Sequence, residues 1–450
     1  MKIAIVGAGW AGMAAAVEAT SAGHRVCVFE ASRTLGGRAR SVRGQLPDGS
    51  PVSLDNGQHI LIGAYDETLR LLRQVGVNED HALLRLPMTL RFADSGGVQF
   101  PRWPAPLDAL AGIVGARGWR LADKWSLLRL AADWHGRDFQ CDARLSVAQL
   151  CQQLSPRVMA EMIEPLCLSA LNTAVERASA QVFLRVLQDA LLGETGGSNL
   201  LLPRVGLSEL FPQAAAGWLA RHSAELHLGK RIDAVLLQGA QWHVADSAFD
   251  AVILATSAAE SVRLLERSVP GAPASVTTSI AEWTQVCRGL CFGAISTVYA
   301  WGADAALARP MLALRSSAAG SEPTPAQFVF DRGQLDGARG LLAFVVSAAE
   351  QERKTLQAQV LQQAQTQLGL KLQAVQTITE RRATFYCTPS LLRPAQKIAP
   401  GLLACGDYVA GPYPATLEGA VRSAVGAVKA AALDVYHARG TDKTSKESNQ

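Results

Sequence analysis

Gly7, Gly9 and Gly12 stand in the pattern GxGxxG directly after the apolar run KIAIV. Glycine at the first position lets a strand turn tightly into a helix, at the second it lets backbone approach a pyrophosphate, and at the third it lets the helix pack close on the strand. The unpaired amides of that helix and its dipole then face the phosphates. Eighteen residues beyond Gly12, a second apolar run, Arg25 to Glu30, ends in a carboxylate. A carboxylate there accepts from ribose hydroxyls and repels a 2′-phosphate, so these residues read as a site for an adenosine dinucleotide without one. Ala8, Ala11 and Ala31 adjoin the motif and are expected among its contacts.

The segment LGGRARS follows at residues 35–41. Gly36 and Gly37 give a backbone arch, and Arg38 supplies a charged donor to phosphate oxygens. A domain that holds only a nicotinamide dinucleotide has no use for it, and FAD is the cofactor expected. Near the other end, GLLACGDYVAGPYPATLEGAVRSA spans residues 401–424. Gly406 and Asp407 there follow a strand and bring a carboxylate to the ribityl or pyrophosphate region. The helix opening at Thr416 and Leu417 points amides at the flavin pyrimidine edge. Ile232, in the middle of the chain, completes the expected cofactor contacts. The two segments resemble the dinucleotide and closing motifs of the amine oxidase and phytoene desaturase superfamily of flavoproteins.

In that superfamily the strand after the arginine runs beside the isoalloxazine ring, and here it reads LDNGQHILIGAY, residues 54–65. Asn56, Gly57, Gln58 and His59 are thereby expected at the flavin, with Asp55 as a structural anchor. The Pro-Thr pair that typically follows the glycine in phytoene desaturases is absent. DNGQH, LLLPRVGLSELFP (200–212) and YVAGPYPATLEGAVRSA (408–424) resemble the hydroxysqualene dehydroxylases of bacterial hopanoid synthesis. The resemblance runs from residue 1 to about 435, with its motifs in the cofactor segments. It implies reductive removal of the hydroxyl of hydroxysqualene to give squalene, with reduced FAD as hydride source. That hydroxyl is allylic, so protonation and loss of water leave a delocalised cation that a hydride quenches; a general acid and a dry pocket are required. His59 is the candidate acid; the alternative is that it donates to a backbone carbonyl or the flavin edge. Tyr408 and Tyr413 either wall the pocket or cover the closing loop. Other readings are a carotenoid or phytoene desaturase, a flavin amine oxidase, and a flavin-binding membrane-surface protein without turnover. The electron donor is not legible.

The elements that must position these residues form an α/β fold: a Rossmann-like FAD-binding domain built from discontinuous segments, with an inserted α+β substrate domain. Strand, glycine turn, alanine-rich helix and strand over residues 1–30 make a βαβ unit. The cofactor domain is expected over 1–76, 201–267 and 396–436. A mainly helical insertion facing substrate and membrane is expected over 77–200, and a mixed sheet-and-helix part over 268–395, with a helix from Ala349 to Leu368. Residues 437–450 read as a disordered tail.

Composition closes off other classes. Charged residues are 18% and hydrophobic ones 49%, which excludes disorder for the bulk of the chain. A net charge of +4 is too small to indicate a nucleic-acid surface. The longest uncharged stretches, Ile3–Val17 and Gly289–Ala303 at fifteen residues and Thr355–Leu370 at sixteen, are shorter than the roughly 18–20 of a membrane span. The first mimics a secretory signal, but its glycines belong to the nucleotide turn, so a cytoplasmic location is expected. The eight cysteines form no CxxC pair and no zinc spacing, and no metal is expected. Cys287 and Cys291 lie among residues that favour strand. Between Leu107 and Trp134, Arg117, Arg120 and Lys124 adjoin Leu121, Trp125 and Leu128, with Trp103, Trp119 and Trp134 nearby. A long apolar isoprenoid substrate makes this stretch a candidate peripheral contact with the inner face of the cytoplasmic membrane.

Overall fold

The apolar run Lys2–Val6 (β1) turns at Gly7 into the helix Trp10–Ser21 (α1), and the chain returns as Arg25–Glu30 (β2). The two strands pair in parallel, Lys2 opposite Arg25. Small side chains on α1, alanine above all, bring its axis close to the sheet, and nearly the whole helix is buried. The computed structural model describes residues 1–193, 195–269, 271–317, 323–347 and 351–447. Among them, six strands form the cofactor-side sheet in the order Glu225–Leu228, β2, β1, Ala251–Leu254, Leu402–Ala404, Lys397–Ala399. Every pairing is parallel except the last. Central strands such as Ala251–Leu254 and Leu402–Ala404 are buried throughout, as a parallel sheet covered on both faces demands. A hairpin of Ser41–Gln45 (β3) and Pro51–Asp55 (β4) then carries Asp55 away from this sheet toward the second one.

The second sheet has five strands, in the order Met311–Ala313, Phe328–Asp331, Leu341–Ser347, Phe292–Trp301 (β5), Gln373–Phe385 (β6). Its alternation is clean: Val329 turns to a core with Val298, Phe344 and the helix Arg353–Leu368, while Phe328 and Phe330 turn to a cavity on the opposite face. Over that cavity lie Glu164–Leu171 and Ala180–Leu192, with Leu107–Val114 (α2) and Leu121–Gly136 (α3) outside them. The C-terminal helix, Leu417–Glu447 (α4), packs along α1.

Several expectations are corrected. The boundaries at 76/77 and 200/201 are bridged, because Leu200–Pro203 pairs with both Leu61–Ile62 and Leu83–Leu86. The boundary at 267/268 is bridged too: the helix Ala274–Arg288 packs on Ala258–Ser268 and on strand Lys397–Ala399. Residues 77–200 are mainly helical but also carry the strands Leu83–Leu86, Thr89–Arg91 and Gly97–Gln99 between the short helix Glu79–Ala82 and the later helices. Cys287 is buried on the helix Ala274–Arg288, while exposed Cys291 follows its end at Gly289, so they do not share a strand. The tail expected to be disordered from 437 continues α4 through Glu447, since extending a docked helix needs no new nucleation; residues 448–450 lie outside the described set. So do residues 349 and 350 of the helix expected from Ala349, which is observed from Arg353.

Candidate active site

A single cavity of about 670 Å³ runs from the carboxyl ends of β1 and β2 to the inner face of the five-stranded sheet. Carboxyl strand ends are where parallel α/β sheets bind ligands. Of the expected cofactor contacts, Gly7, Gly9, Ala11, Glu30, Ala31, Gly36, Gly37, Arg38, Asn56, Gly57, Gln58, His59, Ile232, Gly406, Asp407, Thr416 and Leu417 all line it. Ala8 and Gly12 do not. The Ala8 amide donates to Glu30 Oε2 at 2.7 Å, which orients the carboxylate from behind. Gly12 lies under the turn, where a Cβ would fall 1.8 Å from the Gly7 carbonyl oxygen.

The turn and the arch are one unit. The Gly36 amide donates to the Ala8 carbonyl at 3.0 Å, and a Cβ on Gly37 (φ +59°) would meet Gly9 Cα at 3.2 Å. The indole of Trp10 donates to the Ala39 carbonyl at 3.0 Å, tying the arch to α1. Gly9 caps α1 without a side-chain bond, so the first amides of the helix, beside cavity-lining Gly9, Trp10 and Ala11, are left for an anion. Arg38 is engaged differently from the expectation: it donates to Asp407 Oδ1 and to the carbonyls of Arg382 (3.1 Å) and Ala383 (2.7 Å). Asp407 balances its charge, so it joins the closing motif to β6 as well as lining the cavity.

At the cavity's middle, Asp55 is the anchor expected of it. Its Oδ1 accepts from Ser41 Oγ (3.0 Å) and the Leu207 amide (2.9 Å), and Arg332 approaches Oδ2 at 3.9 Å. The Tyr299 hydroxyl, on β5, accepts from the Asp55 amide at 3.1 Å and donates to the Asp55 carbonyl at 3.0 Å. Arg332 also donates to Gln58 Oε1 at 3.2 Å. The hairpin and the five-stranded sheet therefore both hold the Asp55–His59 turn.

His59 Nδ1 sits 2.8 Å from the Gly57 carbonyl oxygen. A carbonyl only accepts, so the proton is on Nδ1 and Nε2 carries a lone pair. Enclosure by protein lowers the imidazole below its ordinary pKa, with Arg38 adding to the effect. The Gly57 carbonyl and nearby Asp55 oppose that lowering, favouring the charged form.

Tyr408 and Tyr413 do not line the cavity. Tyr408 is buried against Trp283 and bonded to Ser261 Oγ at 3.0 Å, and Tyr413 packs on Tyr65. Tyr65 itself lines the cavity, and burial raises its phenol pKa, which keeps it protonated. The N-terminus of α4 is partly capped, because Thr416 Oγ1 accepts from the Gly419 amide at 3.0 Å.

Sequence reasoning missed several contributors. Glu418, fully buried, accepts from the amides of Glu67 and Thr68 and from Thr68 Oγ1, fixing α4 against the start of helix Asp66–Gln74. Lys230 and Arg231 flank Ile232 in the lining near Glu30. Asn172, in left-handed backbone (φ +44°), donates through Nδ2 to Thr384 Oγ1 at 2.9 Å. Thr384 lies beyond a register shift between β5 and β6, where Gly293 pairs with Thr384 but Ile295 pairs with Glu380. Bulges of this kind re-aim side chains, and Glu380, Ala383 and Thr384 all reach the cavity. Only Asn172, as a helix-ending asparagine, carried a local signal.

The cavity's chemistry divides along its length. Glu30, the uncapped amides of α1 and the Gly36–Arg38 arch suit an adenosine diphosphate; the turn at Gly57 and the start of α4 suit a flavin ring. Beyond them the wall is mainly apolar, with Met162, Leu166, Phe183, Leu187, Phe328 and Phe330, and its polar members include Ser169, Asn172, Ser198, Ser347 and Thr384.

These features are those of a flavoenzyme, and the chain belongs to the flavin-containing amine oxidoreductase family, whose model matches residues 10–432. It is an FAD-dependent oxidoreductase, and the cofactor is FAD. A hydroxysqualene dehydroxylase of Sinorhizobium fredii is 26% identical over 443 residues, covering 94% of this chain and 96% of that one. A zeta-carotene desaturase of Solanum lycopersicum is 33% identical, over 28% of this chain and 21% of its own length. In architecture the chain is similar to an oxidoreductase from Methanosarcina mazei, with a TM-score of 0.69 at 16% identity, covering 95% of this chain and all of that one.

Proposed function

We propose that this chain removes the hydroxyl of hydroxysqualene reductively, giving squalene. The observation that carries the reading is the cavity's far end. Its wall is mainly aliphatic and aromatic, and the carboxylates that line the cavity among the described residues, Glu30, Glu260, Glu380 and Asp407, are already engaged by the Ala8 amide, Arg263, Asn56 and Arg38. A long hydrocarbon gains from such a wall at about 25 cal/mol per Å² of apolar surface buried. A cationic amine would find no carboxylate there without a partner of its own. Similarity over nearly the full length to a hydroxysqualene dehydroxylase, against a short match to a carotene desaturase, supports the same choice.

Bound reduced FAD supplies the hydride that replaces the hydroxyl, which leaves as water with one added proton. The chain's own part is to bind, orient and keep dry. Thr384, which accepts from Asn172, and Ser169, Ser198 and Ser347 are polar groups that a single hydroxyl would meet in a mainly apolar wall. Neutral His59 holds the Gly57 turn through Nδ1 and leaves Nε2 as an acceptor. Exclusion of water by the surrounding apolar side chains protects the allylic cation.

The test is anaerobic incubation of the FAD-loaded protein, chemically reduced, with hydroxysqualene, and of the oxidised protein with a carotene, products read by mass spectrometry. Squalene from the first alone supports the reading. Desaturated carotene without any squalene overturns it in favour of desaturation.

A further inference from the structure

Among the described residues, most large apolar side chains that face water lie in one short stretch. Leu121 is 85% exposed, Trp125 70% and Trp103 56%, and Leu107, Leu110 and Val114 join them. On α2 these positions recur at i, i+3 and i+7, so they form one stripe. The opposite side of α2 is apolar as well: Ala109, Gly112 and Ile113 are buried, and a Cβ on Gly112 would lie 2.2 Å from the Phe100 ring. A helix apolar on both sides is not built for water. On α3, Leu121 and Trp125 are one turn apart on the exposed side, while Asp123 and Leu127 are buried. The two stripes adjoin, because Lys124 Nζ donates to the Val114 carbonyl at the end of α2.

Charge selects the partner. Between residues 102 and 129 the cations are Arg102, Arg117, Arg120, Lys124 and Arg129. The carboxylates in that span are Asp108 and Asp123, both buried. Asp108 accepts from Ser198 Oγ at 3.2 Å, and Ser198 lines the cavity. An apolar crest with exposed tryptophans, ringed by cations, stands on the helix whose inner side abuts the cavity wall. We infer that this surface docks on an anionic lipid bilayer, with the α2 and α3 stripes set among the headgroups and the arginines on lipid phosphates. Among the described residues no helix is long and apolar enough to cross a membrane, so the contact is with one leaflet. Trp119 and Trp134, grouped with this stretch on sequence, are buried and take no part.

The test needs no substrate, so its outcome is independent of the proposed reaction. Full-length FAD-loaded protein is centrifuged with vesicles of phosphatidylcholine, with and without phosphatidylglycerol, at low and high salt. The inference expects binding to the anionic vesicles that falls with salt. It also expects a Leu121→Ser/Trp125→Ser variant with unchanged melting temperature to bind about tenfold or more weakly. Leu392→Ser, which alters an exposed leucine outside the patch, should bind as wild type does. Quenching of wild-type tryptophan fluorescence by brominated lipid is the second readout and depends on no variant. Absence of binding to anionic vesicles at low salt overturns the inference, as does wild-type binding by the double variant. So does a shift of that variant from dimer to monomer in a protein that ignores vesicles, which assigns the patch to a second copy.

Discussion

Replacing Tyr299 with phenylalanine removes one oxygen from the joint between the five-stranded sheet and the β3–β4 hairpin. Tyr299 is 1% exposed, and burial raises its phenol pKa, so the hydroxyl stays a donor across the working pH range. It accepts from the Asp55 amide and donates to the Asp55 carbonyl. The carbonyl keeps a second partner, the Gly57 amide at 2.8 Å, so the variant orphans the amide alone. An unsatisfied buried donor costs about 1–3 kcal/mol, and phenylalanine fills the same space otherwise. For a chain this long, with an m value near or above about 3 kcal/mol/M in urea, the midpoint should fall by about 0.3–1 M at unchanged m. The Gly57–His59 turn hangs from Asp55, so FAD affinity, read by flavin fluorescence, should weaken by up to about tenfold. A midpoint within about 0.1 M of wild type, with unaltered FAD affinity, would refute the claim that this hydroxyl clamps the turn.

Two further outcomes follow from the same structure. Gly12→Ala sets a Cβ 1.8 Å from the Gly7 carbonyl oxygen, so the turn must open, and the purified variant should carry little or no flavin by absorbance. The depressed pKa of His59, caused chiefly by burial, sets the sign of a pH effect. The unfolded chain takes up this proton first, so the stability contribution is whole above about pH 6.5 and is lost as pH falls through the lower folded value. Melting temperatures measured from pH 7.5 to 5 should fall less for His59→Asn than for wild type, and parallel curves would reject the neutral assignment.

The cofactor turn was legible because its parts are neighbours in the chain. Gly7, Gly9, Gly12 and Glu30 belong to one βαβ unit, and the spacing of a strand, a turn and a helix dictates where each must stand. The motif did not tell which of these residues touch the ligand and which brace the others, and Ala8 and Gly12 proved to brace. Partners remote in sequence were out of reach: Tyr299 with Asp55, Glu418 with Thr68, and Asn172 with Thr384 are joined only by the packing of separate elements. The same holds for orientation. Periodicity marks apolar positions on α2 and α3 but, with apolar residues on both sides, cannot tell the outward stripe of Leu107, Leu110 and Val114 from the inward one, nor that Trp119 and Trp134 turn inside. Local spacing determines local geometry; the identity of the surface that each side chain meets depends on elements hundreds of residues away, and so the tertiary structure alone decided it.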